Sequence, residues 1–178
     1  MTNARITGWL LIVTIGLLVG CGENAGSFTF EEESQEVTVE GGGPLVDLPG
    51  NALSVLKLNV DLEQQLEAHD ADAAKAVYLE ALVLEITDTE VGENDTDNFD
   101  FLDDVTIYVS AEGLERKQLA IVDPVPEGKQ SVSFDVDSSI DLKPYIEEGM
   151  NLETEATGNR PEDNVSFKAV STIRVDVL

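Results

Sequence analysis

This chain is short of nearly every residue on which covalent cross-linking or reaction chemistry usually rests. It has one cysteine, Cys21, and one histidine, His69. A lone cysteine excludes an intrachain disulfide, so a domain of this size must rest on its hydrophobic core. A lone histidine removes a His-based zinc site unless ligands of another type complete it. Basic residues are scarce too: 10 Lys and Arg stand against 36 Asp and Glu, a net charge of −26. Such a field repels nucleic acid and anionic membrane faces, so nucleic acid is not an expected partner; it attracts cations and basic partners. No Gly-x-Ser-x-Gly elbow, phosphate loop or dinucleotide fingerprint is present, and no catalytic residue is singled out. The longest largely apolar run covers residues 9–19 only, well under the roughly 20 residues that cross a bilayer as a helix.

What is there suffices for one folded domain. The chain has 178 residues, and its 42% hydrophobic content lies near the globular norm, which argues against wholesale disorder.

The apolar run follows a short polar start whose one charge is Arg5, and it ends directly on Leu18-Val19-Gly20-Cys21. An h-region of this length with a small residue before the break is the pattern of an export signal. The tetrad resembles the lipobox of bacterial lipoproteins. The resemblance covers residues 1–21 and implies cleavage between Gly20 and Cys21, a diacylglycerol on the Cys21 sulfur and often a palmitate-type acyl chain on the new amino group. Two or three acyl chains anchor durably where one anchors marginally. The partner so implied is a lipid bilayer, reached through acylated Cys21. Residue 22 is Gly rather than Asp. By analogy with enteric sorting signals, this points to the outer membrane in a diderm host, and otherwise to the outer face of the plasma membrane. Removing residues 1–20 takes away Arg5 alone, leaving 36 acidic against 9 basic residues, or −27.

The expected organisation is a signal peptide over 1–20, a lipidated cysteine and tether over 21–34, and a β domain over 35–178. Phe28 and Phe30 hint at a short strand inside the tether. Alternation marks strands over 35–40, 54–61, 104–111 and 165–177, with 117–122 as a partner strand, Val132, Phe134 and Val136 on another and 151–156 as a further one. Over 76–87 apolar residues fall on both faces: Val77, Leu79, Ala81 and Val83 on one, Tyr78, Leu82, Leu84 and Ile86 on the other. That predicts a central strand covered on both sides. Asp61 is placed to cap a short helix carrying Leu62 and Leu66, and Asp141 a second one that ends at Gly149. Many short strands with turn signals between them predict an all-β antiparallel sandwich, immunoglobulin-like or jelly-roll-like, with one or two short helices. The mature part also resembles the uncharacterised β-sandwich lipoproteins of bacteria, a likeness that implies fold and no activity.

Three places invite chemistry. The acidic loop over 88–104 puts Asp95, Asp97 and Asp100 at spacings that suit a hard cation, and Ca²⁺ is the cofactor such oxygens would take. The EF-hand pattern is absent, because neither the Gly at its sixth position nor the Glu at its twelfth is present. Tyr108 points to the polar side of its strand and is the residue best placed to meet a sugar or peptide, with Tyr78 and Tyr145 as companions if they are exposed. His69 reads as a surface residue at a polar helix end. Together these features predict a non-catalytic binding or structural module that meets an envelope protein or glycan. A calcium-dependent adhesion module and an envelope-polymer hydrolase using a carboxylate pair are the alternatives.

Overall fold

The computed structural model describes residues 26–42, 61–87 and 97–178. The expected export signal over 1–20, Cys21, Asp95 and nearly all of the strand expected over 54–61 lie outside the described residues. The described chain forms two antiparallel sheets packed face to face, an all-β sandwich with two short helices.

The first sheet is built around β9 (Val165–Val177). On one side of it lie β1 (Ser27–Glu33) and β2 (Val37–Val39); on the other lie β3 (Ala74–Thr87) and then β6 (Ser131–Ser133). The second sheet has the order β7 (Asp135–Val136), β5 (Lys117–Val122), β4 (Leu102–Ser110), β8 (Asn151–Gly158). Strict alternation explains β9. Val165, Phe167, Ala169, Ile173 and Val175 are all buried against the second sheet, while Lys168, Thr172, Arg174 and Asp176 sit on the other face and keep partial exposure. Val105, Ile107, Val109 and Leu119 meet them from the second sheet.

β1 occupies part of the stretch over 21–34 that the sequence pattern assigns to the tether. It pairs with β9 from Ser27↔Asp176 to Glu33↔Val170, and Phe28 and Phe30 pack against the core. Among the described residues the first sheet therefore takes in Ser27–Glu33, ahead of the expected boundary at 35. Ser34 joins β1 to β2 without breaking the ladder: its N–H donates to the Ala169 carbonyl at 2.8 Å and its Oγ accepts from the Ala169 N–H at 2.9 Å.

β3 departs from the expectation of two covered faces. A bulge between Leu79 and Ala81 shifts its register against β9, and a one-residue slip reverses which face each side chain takes. Val77 and Leu79 before the bulge, and Leu82 and Leu84 after it, consequently all point into one core, at 0–3% exposure. Ala81 and Val83 move to the outer face, where they are half-buried. The two apolar stripes of the sequence are one stripe interrupted at Glu80.

The strand expected through Val132, Phe134 and Val136 is two strands. β6 pairs with β3 in the first sheet and β7 with β5 in the second, and the chain crosses between the sheets at Phe134, whose N–H donates to the Leu82 carbonyl at 3.0 Å. A strand that changes sheets closes that side of a sandwich.

The first helix is capped as expected, whereas the second has Leu142 at its N-cap with no side-chain cap hydrogen bond, and Asp141 stands one residue before it. Asp61 accepts from the Gln64 N–H at 3.0 Å at the start of α1 (Leu62–Ala68). Asp141 accepts from the Lys143 N–H at the start of α2 (Lys143–Glu147) and also from the Val77 N–H, both at 3.0 Å, so the same carboxylate fastens α2 to β3. Leu142 and Tyr145 enter the core, and the Tyr145 hydroxyl donates to the Glu115 carbonyl at 2.8 Å.

These ties fix what lies at each end of the sandwich. Gly26, α1, the turn over 111–116 and α2 gather where β9 finishes and β3 begins. Gly41 and Gly42, the segment 97–103, the turn over 123–130 and the loop over 159–164 gather at the opposite end. At that opposite end Gly158 has φ +145°, and a Cβ there would stand 2.2 Å from the Phe101 carbonyl oxygen, so the position requires glycine.

Candidate functional site

Tyr108 lies on the outer face of the second sheet, half-buried. Its ring is already occupied. The Arg116 guanidinium sits 3.4 Å from the ring centroid, a cation held over the negative face of the π-system. Arg116 is anchored in turn by two carboxylates on β8: its Nε donates to Glu153 Oε2 at 2.9 Å and its Nη2 to Glu155 Oε1. Glu153 also accepts from the Ser110 hydroxyl at 2.8 Å. These bonds, Ser110's first and Arg116's second, hold the Glu153 carboxyl below the usual glutamate range. Sheet register explains the grouping: Tyr108 stands opposite Glu153 and Ser110 opposite Asn151, so their side chains share one face.

The first sheet carries the same arrangement. Arg174 lies over Tyr78 at 4.3 Å, its Nε donates to Glu80 Oε1 at 2.7 Å, and its Nη1 donates to Asp176. Nearby, Lys168 bridges Glu33 at 2.9 Å and Glu85 at 3.9 Å. Hydrogen bonding to Glu80 and Asp176 raises the Arg174 pKa, and bonding to Glu33 raises that of Lys168. The three tyrosines do not share a binding face. Tyr78 and Tyr108 lie on opposite outer faces, and Tyr145 is core.

Of the carboxylates expected to hold calcium, Asp97 and Asp100 are described. The Asp100 carboxylate accepts from the Gly128 N–H, its N–H donates to Asn98 Oδ1 at 2.8 Å, and Gln130 Nε2 donates to the Asp97 carbonyl at 3.1 Å. These bonds, with Phe99 N–H to the Lys129 carbonyl at 3.0 Å, fasten the end of the acidic loop to the turn over 123–130. Among the described residues no group of three or more His, Cys, Asp or Glu side chains is arranged to hold a metal ion. His69 is exposed at the C-terminal cap of α1, as its sequence context predicts, and its ring stacks on Phe28 with centroids 4.0 Å apart and planes 14° from parallel.

Asp137 and Glu153 are both pushed downward, Asp137 by the Ser139 hydroxyl and then the Ser139 N–H. The chemistry this surface supports is ionic and hydrogen-bonding: planar cations fixed on aromatic rings, each fully matched by acids. Sequence reading found Tyr108 but not Arg116, Glu153 or Glu155. The outward alternation of each strand was the signal, but which strands adjoin was not in it.

No protein-family model matches the chain, and no curated protein matches it in sequence.

Proposed function

We propose that this protein is a lipid-anchored lipoprotein of the bacterial envelope, in which acylated Cys21 holds an acidic β-sandwich at a bilayer as a non-catalytic binding or structural module. The observation that carries the reading is the junction of the apolar run over 9–19 with Leu18-Val19-Gly20-Cys21 on the sole cysteine. The fold is compatible with it: β1 begins at Ser27, so six residues on from the anchor the chain is already in a sheet. The domain's charge gives it no attraction to anionic lipid, which leaves the acyl chains to supply the holding. The binding role draws on the chemistry of the outer faces, where tyrosines, arginines and paired acids offer polar contacts to a protein or glycan.

The test is metabolic labelling of the full chain in a bacterial host with an alkynyl palmitate analogue, beside Cys21→Ser. Label in the wild type and none in the variant is the expected result. Wild type that takes up no label, or a variant that takes up as much, contradicts the reading.

A further inference from the structure

The anchor's place in the fold sets how the domain meets the membrane. Gly26, with φ +115°, leads into β1, and its carbonyl accepts from the Val177 N–H at 2.6 Å. The chain therefore enters the sandwich at the end where β9 finishes. Cys21 is five residues before Gly26, a reach of at most about 18 Å at full extension. The sandwich is longer than that, since the 13 residues of β9 run roughly 40 Å at about 3.3 Å per residue.

Three poses are conceivable. The inverted pose would lift the entry end roughly 40 Å from the bilayer, which a tether of about 18 Å cannot span. A pose flat on either sheet would bring a whole acidic face against lipid phosphates, whereas the upright pose brings only one end near them, with Glu63, Glu67, Glu112, Glu115 and Glu147 against Arg116 and Lys143, and holds the rest of the charge away. On the first sheet Arg174 and Lys168 are each matched by two acids, and on the second Arg116 is matched by two, so neither face has cationic surplus at these clusters. The upright pose remains.

We infer that the sandwich stands end-on at the membrane, with α1, the turn over 111–116 and α2 facing the lipid. The opposite end, formed by Gly41 and Gly42, the segment 97–103, the turn over 123–130 and the loop over 159–164, is held roughly 40 Å further out, where an envelope partner reaches it first. This inference rests on the lipid-anchor reading.

The test exploits the lone cysteine. With the Cys21 sulfur carrying lipid, one introduced cysteine is the only free thiol. Glu67→Cys and Glu112→Cys mark the entry end, and Glu127→Cys and Glu162→Cys the opposite end; all four positions are exposed. The lipidated full-length product of each variant is labelled with a fluorescent donor. It is then reconstituted in phosphatidylcholine vesicles with a minority of phosphatidylglycerol and a headgroup-linked acceptor. Transfer from the first pair is expected to be roughly tenfold stronger than from the second, given the roughly 40 Å between them. Equal transfer from the two pairs, with Cys21 shown by mass spectrometry to carry lipid, overturns the upright pose alone. A bare Cys21 sulfur overturns the anchor and the pose together.

Discussion

The two sheets solve the same problem with different means. In the first, a long pair of strands, β3 and β9, carries an inner face that is apolar except at Ser171, whose hydroxyl donates to the Glu32 carbonyl at 3.1 Å, and two register shifts, at Lys75 and Glu80, absorb the slips in the pattern. In the second, the strands are shorter, and Thr154 faces Ile107 with its Oγ1 buried and without a hydrogen-bond partner among the described residues, as Thr87 Oγ1 is in the first. The outer faces differ too. Arg174 sits within a strand and its side chain is 28% exposed, whereas Arg116 precedes its strand, is 38% exposed, and reaches across β4 to β8. Long strands place side chains by register alone. The shorter sheet relies on individual polar contacts to hold its surface in order.

The largest effect should come from emptying the first sheet's core. Phe167 is fully buried and meets Phe99 edge-on at 5.6 Å. Phe167→Ala is expected to destabilise the domain by about 3–5 kcal/mol in urea unfolding, as cavity formation at a large buried ring does. A loss under about 1 kcal/mol would mean that β9 does not carry the core. The second sheet offers the opposite sign. Thr154→Val removes a buried hydroxyl that lacks a partner, and it should raise stability by about 1 kcal/mol. Destabilisation would show that the hydroxyl is satisfied.

The core and its gaps were unequally legible in the sequence. β9 follows its alternating segment residue for residue, because one buried and one wet face leave no other register. The cap at Asp61 was equally plain, since a cap is a local contact, while the second helix starts one residue later than Asp141 would place it. The bulge in β3 was not. Alternation reports faces only while its period holds, and a slip within an all-apolar run imitates a strand buried on both sides. Phe134 was misread for a related reason: period 2 continues unbroken while the chain passes from one sheet to the other. Of the surface cluster, the outward aim of Tyr108 was readable. The arginine over it was not, because Arg116 meets acids 37 and 39 residues away in the chain. Asp100 was read as a free oxygen donor, yet it bonds to a turn 28 residues on.

Smaller effects sharpen the contrast between the outer faces. Arg174→Ala should lower stability by about 1 kcal/mol, near the upper end for exposed ion pairs, and Arg116→Ala by less. The reverse order would mean that the loop-borne arginine is the better fixed of the two. Glu153→Gln should show a pH signature. A depressed carboxyl contributes stability that is present above its unfolded pKa and lost as pH falls through its folded one. The gap between wild type and Glu153→Gln should therefore be complete at neutral pH and close in acid below the ordinary glutamate range. A gap constant across that range would show that Ser110 and Arg116 do not favour the ionised form.

Salt should act on the whole domain at once. With −26 on the chain, screening at about 1 M, where the Debye length falls to roughly 3 Å, should relieve self-repulsion and raise Tm. A lower Tm in salt would mean that the matched ion pairs outweigh the surplus acids.

The most direct measurement is the intact mass of the protein purified from bacterial membranes. A polypeptide beginning at Cys21 and heavier than its sequence by a diacylglycerol, with or without a third acyl chain, is the predicted result. A chain retaining residues 1–20, or one whose Cys21 sulfur is an unmodified thiol, would contradict the account.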